Sequence, residues 1–206
     1  MPNKFWDITF TPSVKAAQAN YGSRAHYAKS ENGAAKNAVL TESEIEFIGE
    51  RDGFYMATVS ENGQPYIQFR GGEPGFLKVL DEKTLGFADF RGNLQYVSVG
   101  NLSGNNRAAL FLMDYANRRR LKILAEAEVK DAGEVPELIE KLKTIDHKVK
   151  IERAMILHLE AFDWNCPQHI TPRFAIAEIK AMNAPLYEYV EKLEAENKKL
   201  KEKINV

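Results

Sequence analysis

The chain has 206 residues, 44% hydrophobic and 28% charged, with a formal net charge of −1. That is enough for one large domain or two small ones with a real apolar core, and it is the composition of a globular protein. A near-zero charge offers no long-range field for nucleic acid or an anionic membrane. Cys166 is the single cysteine, so no internal disulfide can form, which fits a reducing cytoplasm. The first residues carry no apolar run of signal-peptide type, and no segment approaches the ~20 apolar residues of a membrane span.

Residues 5–30 read as an arm, with a helix opening at Thr11-Pro12-Ser13 and ending near Asn20 before Gly22. The arm packs over the body or a partner; Ser23 and Arg24 are its candidates for reaching a site. Thr41-Glu42-Ser43-Glu44 is a capping-box pattern. It predicts a helix over 42–50 with Ile45, Phe47 and Ile48 on its apolar side. Residues 54–60 are β-rich and apolar on both faces, as in a buried strand. Asn62-Gly63 supplies the positive-φ positions of a hairpin turn. In the strand 64–70, alternation puts Tyr66, Gln68 and Arg70 on one face and Ile67 and Phe69 on the other. The polar face is either solvated or built for a ligand.

A glycine-rich loop (71–75) leads to a strand over 76–80 containing Lys78, and a further strand covers 84–90. Arg91-Gly92-Asn93 precedes a predicted helix over 94–102, with Asn93 as N-cap and Leu94, Val97 and Leu102 inward. Free N–H groups there, beside Arg91, would suit a phosphate. Residues 107–113 and 121–129 read as paired strands, with Arg118-Arg119-Arg120 near the turn and one arginine directed to the barrel mouth. An amphipathic helix is predicted over 135–145, with Leu138, Leu142 and Ile145 on one side. A long strand over 151–162 follows, with Ile151, Met155, Leu157 and Leu159 inward and His158 as a structural histidine. Cys166 and His169 have a C-x-x-H spacing without a second pair, so no metal site is expected.

At the tail, Leu186, Val190, Leu193, Asn197, Leu200 and Ile204 step by four and three, as coiled-coil core positions do. The expected organisation is therefore a domain over 1–182, including the arm, and an amphipathic helix over 183–206. The familiar nucleotide-binding loops, zinc motifs and nucleophile elbow are absent. A polar-rimmed barrel with aromatic walls and several arginines suits a bound phosphate-bearing cofactor better than side-chain catalysis.

Gly63-Gln64-Pro65-Tyr66, Asn106-Arg107-Ala108-Ala109-Leu110-Phe111-Leu112 and the run from Arg119 to Ala127 carry a resemblance. Over about residues 40–175 the chain resembles the pyridoxamine 5′-phosphate oxidase-like, FMN-binding split-barrel family. The resemblance implies a mainly β fold with flanking helices, an antiparallel split β-barrel, here followed by a C-terminal helix. It also implies a homodimer with FMN at the interface and a small-molecule substrate. Carried over by position, Gln68, Phe69, Arg70 and Gly71 would run along the flavin. Lys78 would be a phosphate lysine, Ala88 and Asp89 would face the ribityl chain or ring, and Arg91, Asn93 and Gln95 would lie on the phosphate side. Arg120 would come from the partner, and Trp164 and Arg173 would complete the site. The basic pair that vitamin B6 oxidases carry after this strand is replaced by Asn93-Leu94-Gln95. Their terminal Arg-Leu-His triplet is also missing, which argues against B6 oxidation. The implied function is an FMN-dependent oxidoreductase moving hydride or electrons from a reduced donor, such as NAD(P)H, to a small acceptor. The alternative is a flavin-binding carrier or redox sensor without turnover; haem or deazaflavin could also occupy such a fold.

Overall fold

The structure, a computed structural model, describes residues 3–29, 36–144 and 149–204. Seven strands are present among them: β1 (Gly53–Val59), β2 (Pro65–Gly71), β3 (Lys78–Asp81), β4 (Thr84–Phe90), β5 (Arg107–Asp114), β6 (Arg119–Asp131) and β7 (Ile151–Trp164). They form one sheet in the order β2-β1-β5-β6-β7-β4-β3, antiparallel at every pairing. The helices are α1 (Lys4–Thr9), α2 (Pro12–Asn20), α3 (Arg24–Ala28), α4 (Glu42–Gly49), α5 (Val97–Gly104), α6 (Pro136–Leu142) and α7 (Ile176–Ile204). The expected antiparallel β fold with flanking helices and a C-terminal helix is thus observed. The chain divides into two compact units, Met1–Asp114 with Arg119–Gln168, and Tyr115–Arg118 with His169–Val206.

The sheet of the first unit curls until its ends meet. β3 pairs with β4 only through Lys78, Val79 and Asp81 opposite Gly86, Leu85 and Thr84. The second half of β4 has no ladder on that side. β2 comes to this gap: Arg70 reaches Asp89 at 2.6 Å. The barrel is therefore closed along one seam by side chains rather than by backbone hydrogen bonds. Phe54, Met56, Phe87, Leu110, Leu112, Leu121, Ile123, Met155 and Leu157 fill its interior. Phe54, Phe76 and Phe87 form an aromatic cluster there, Phe54 and Phe76 stacked at 5.5 Å and Phe87 set edgewise to both. Rings at such offsets add to the stabilisation from burial alone.

Local chemistry explains most element boundaries. The capping box of α4 forms, with Glu44 Oε2 accepting from the Thr41 backbone N–H at 3.0 Å. Gly63 turns the β1–β2 hairpin at φ 82°, a conformation that costs a side-chain-bearing residue more. Pro12 stands in the first turn of α2, and Thr11 accepts from the Val14 N–H. α1 and α3, not foreseen, flank α2; Trp6, Phe10 and Tyr27 pack together to hold α1 against α3.

Several expectations need correction. β1 alternates rather than burying both faces: Phe54, Met56 and Thr58 are buried, while Tyr55 is exposed on the outside. In α4, Phe47 and Ile48 are buried, but Ile45 faces solvent and Glu44 is buried in its place. Glu44 can be buried because Thr41 and the Trp164 indole satisfy its oxygens. α5 begins at Val97, not at 94, and Asn93 is not its N-cap. Asn93 Oδ1 instead accepts from the Gln95 N–H within the preceding loop. Leu94 and Val97 are consequently exposed, and of the expected trio only Leu102 is buried. α6 ends at Leu142, with Ile139 and Leu142 buried; Ile145, expected on its apolar side, and Ser30, at the end of the arm, lie outside the described residues. His158 is exposed and faces Glu128 at 3.6 Å, so it is a surface group rather than a structural one. Lys130 also bonds Glu128, and it holds that carboxyl below the usual glutamate range despite the opposing desolvation; His158 adds a smaller effect.

Candidate functional site

The seam is where polar groups accumulate. β2 turns its polar face inward: Tyr66, Gln68 and Arg70 are half-buried, whereas Ile67 and Phe69 are exposed. This is the reverse of an ordinary sheet, where the apolar face goes in. Asp89, on β4, is only 2% exposed and is held from two sides. Arg70 Nη1 donates to its Oδ1 at 2.6 Å, and Arg153 donates to its Oδ2 through Nε at 2.9 Å and Nη2 at 2.8 Å. The β4–β7 register sets Arg153 directly opposite Asp89. Arg153 also bonds Glu152 at 3.0 Å, and its guanidinium lies over the Tyr96 ring at 4.9 Å. Burial pulls the Arg153 pKa down, but the bonds and charge of Asp89, with Glu152, outweigh it and raise it above the ordinary arginine value.

Between β2 and α5 lies a depression of about 50 Å³ lined by Gln68, Arg70, Asp89, Arg153 and the loop from Gly92 to Tyr96. That loop is unusual. Leu94 and Tyr96 both take positive φ, 64° and 52°, a conformation that costs non-glycine residues energy and needs support from the surroundings. The Tyr96 hydroxyl supplies some of that support by donating to Glu152 at 3.2 Å. From the first turn of α5, Ser98 donates to Gln68 Oε1 at 3.1 Å. Deeper, Asn101 donates to Thr58 at 3.0 Å and ties α5 to β1. On the other side of the Arg70–Asp89 bridge, a second depression of about 130 Å³ is lined by Phe69, Gly71, Phe76, Phe87 and Ala88.

One polar atom at this junction is unsatisfied: Arg70 Nε is buried and has no partner. Buried donors of this kind are rare in folded proteins and call for an acceptor. Counting charges around the seam, Arg70, Arg91 and Arg153 face Asp89 and Glu152, an excess of one positive charge. The donor set fits an anionic oxygen-rich group, by charge-assisted hydrogen bonds from guanidinium and N–H groups.

Of the residues singled out from sequence, the structure brings Gln68, Arg70, Asp89, Asn93 and Gln95 to the first depression and Phe69, Gly71 and Ala88 to the second. Others stand elsewhere. Lys78 is on β3 opposite Gly86. Arg91 is half-exposed, 3.7 Å from Glu152, and lines neither depression. Arg120 can donate twice to the Asn165 side-chain oxygen, at 2.8 and 2.9 Å, when that amide is turned toward it. Trp164 packs edge-to-face on Phe47 and donates to Glu44 at 2.6 Å. Arg119 lies over both of these rings. Arg173 belongs to the second unit and lies over Tyr115 at 5.2 Å. Arg24 bonds Gln18 within the arm. Sequence reasoning missed Arg153, Glu152, Tyr96 and Ser98. The alternation of β7 could have flagged Arg153 as inward beside the buried Ala154 and Met155, but its partner Asp89 is 64 residues away.

Among the described residues, no cluster of three or more His, Cys, Asp or Glu side chains could hold a metal, and no helix is long and apolar enough to cross a membrane. A family model for pyridoxamine 5′-phosphate oxidase matches residues 40–158, which contain the whole seam. No curated protein matches the chain significantly. Solved structures similar to it include HupZ of Group A Streptococcus, 18% identical over 66% of this chain and 99% of that one, TM-score 0.49. An FMN-binding protein of Syntrophomonas wolfei is 14% identical over 60% and 87%, TM-score 0.47. An F420 reductase is 20% identical over 60% and 98%, TM-score 0.42.

Proposed function

Because the chain belongs to the pyridoxamine 5′-phosphate oxidase family, we propose that it binds FMN at the β2–β4 seam and serves as an FMN-dependent oxidoreductase. The observation that carries this is the buried, unpartnered Nε of Arg70, on the inward polar face of β2. Arg70, with Gln68 and the 92–96 loop, would hold the phosphate end, and Arg91 would add charge from outside the depression. Asp89 orients Arg70 and Arg153 and keeps their guanidinium groups from swinging to solvent. Phe69, Gly71, Phe76 and Ala88 would line the path of the ribityl chain and ring. When bound, the flavin supplies the redox chemistry, and the protein's part is binding, orientation and exclusion of water.

The size of the site supports a twofold assembly. A depression of about 50 Å³ holds a phosphate-sized group, whereas ligand pockets run to roughly 300–1,000 Å³. The remaining walls would come from a second copy. The outer face of β1 and β2 has the apolar surface for it: Tyr55, Ile67 and Phe69 are 36%, 63% and 58% exposed, and Phe111 and Leu124 continue the same patch. Trp164 and Arg120 would act across that interface. The small-molecule acceptor and the cytoplasmic setting belong to the same proposal.

A carrier or sensor without turnover is the second reading. It is favoured by the pairing of Asp89 with Arg70 and Arg153, which leaves no uncommitted carboxylate in the depression. The visible spectrum of the purified protein, with mass spectrometry of the heat-released ligand, tests the cofactor. Bound FMN gives two yellow bands, and binding of FMN but not of riboflavin assigns the phosphate end to the seam. A colourless protein that takes up no FMN overturns the proposal. Oxidation of NAD(P)H with added acceptors then separates enzyme from carrier.

A further inference from the structure

The 29 residues of α7 bury no side chain, although the helix carries an apolar stripe, interrupted by Asn183 and Asn197. Leu186, Val190, Leu193, Leu200 and Ile204 are 58%, 40%, 44%, 58% and 81% exposed. A helix this long with an uncovered stripe is incomplete in energetic terms, since most helix stability in water comes from packing such a face. Its spacing is that of a heptad. With Val190 at position a, the d positions are Ile179, Leu186, Leu193 and Leu200, and the a positions are Ile176, Asn183, Val190, Asn197 and Ile204. Pro185, inside the helix, falls at an outward c position, so its missing N–H lies away from the stripe.

We propose that α7 pairs with the α7 of a second copy of this chain as a parallel, in-register, two-stranded coiled coil. Three features select this occupant and this orientation. Leucine at d with a β-branched residue at a is the pattern that favours two strands. Asparagine at a fixes orientation, because in a parallel pair Asn197 meets Asn197 of the second copy and their amides bond each other. An antiparallel pair sets a positions against d positions, so the amide would lie unpaired against leucine. The flanking charges agree. In the parallel register Glu196, at g, faces Lys201 of the second copy, at the next e, and the contact is made twice by symmetry. The stripe is therefore a self-complementary surface. It presupposes the twofold association proposed above, and it adds a tether that holds the two copies near one another at high effective concentration.

The test uses the full chain with the exposed Cys166 replaced by serine. In that background Leu200→Cys places a thiol at a d position, and Lys198→Cys places one at the outward b position. Both are exposed to oxidised glutathione at micromolar protein, and mass is measured in parallel by light scattering. In the parallel coil the d positions lie within the 4.4–6.8 Å Cα separation that a disulfide needs, roughly, and the b positions do not. The expected result is a dimer mass with near-complete covalent dimer for Leu200→Cys and none for Lys198→Cys. A dimer mass without crosslinking at either position overturns the helix pairing while leaving the barrel association standing. A monomer mass without crosslinking overturns both. Equal crosslinking at the two positions signals random collision of frayed helices and overturns the coil.

Discussion

Replacing Asp89 by asparagine removes the negative charge that holds Arg70 and Arg153 together. Its side chain is 3% exposed and those of the two arginines are 14% and 13%, so water makes up little of the lost interactions. Asparagine can still accept through one oxygen, but its NH2 group must then face a guanidinium donor. Breaking a buried ion pair by removing one partner costs about 3–5 kcal/mol. Arg153 keeps Glu152 at 3.0 Å, which puts the expected cost near the lower end, ~3 kcal/mol. With a urea m-value of about 2–3 kcal/mol/M for a chain of this size, the midpoint falls by roughly 1–1.5 M. Changing Arg70 to methionine in the Asp89→Asn background should recover part of the loss, since the stranded charge disappears, with a coupling of about 1–3 kcal/mol. FMN should raise the midpoint of Asp89→Asn more than that of the parent, because an anion offsets the surplus positive charge. A midpoint shift below about 0.3 M, the size of an ordinary surface substitution, would refute the view that the seam is held by this triad.

Other outcomes are equally measurable. Arg70→Ala combined with Arg91→Ala should release FMN on gel filtration; full stoichiometric retention would remove the phosphate from the seam. Trp164→Phe deletes the charge-assisted bond to Glu44 and should cost about 1.5–3 kcal/mol in urea unfolding. A loss under ~0.5 kcal/mol would mean that the α4–β7 tie is dispensable. Glu128 has a depressed pKa in the fold, so its contribution is present above the ordinary glutamate range and is lost as the pH falls through the lower folded value. Its carboxyl carbon, followed by NMR, should titrate below that of a free glutamate and move back toward it in Lys130→Met; an ordinary midpoint in the parent contradicts the pairing. Deleting 184–206 should leave the barrel folded, since α7 buries no residue, and an insoluble product would show the helix to be part of the core.

What the sequence disclosed were features set by neighbours along the chain. The Thr41–Glu44 capping box and the Asn62-Gly63 turn depend on three or four residues each, and both formed. Alternation correctly separated Tyr66, Gln68 and Arg70 from Ile67 and Phe69. It could not say which set faces inward, and the polar set does. That choice depends on partners distant in sequence: Ser98 for Gln68 and Asp89 for Arg70. The same holds for Glu44, whose burial depends on Trp164, 120 residues away. The start of α5 was misplaced because Asn93 has the chemistry of an N-cap. Positive φ at Leu94 and Tyr96, which no local signal announces, delays the helix to Val97. Arg153 stayed hidden because the pairing of β4 with β7 skips over β5 and β6.

Closing a barrel with side chains has a mechanical consequence. A ladder of backbone hydrogen bonds is indifferent to what lies beside it, but a latch made of Arg70, Asp89 and Arg153 shares its atoms with any anion that enters. The unpartnered Arg70 Nε–H is free for a ligand, but each hydrogen of Arg70 Nη1 or of Arg153 Nε and Nη2 that turns to it is one withdrawn from the latch. Beyond that one donor, recognition and the tightness of the wall are thus drawn from a single stock. The free edge of β2 is the place where the protein would breathe when that stock is redistributed. Amide exchange along residues 66–70, measured with and without FMN, would record it.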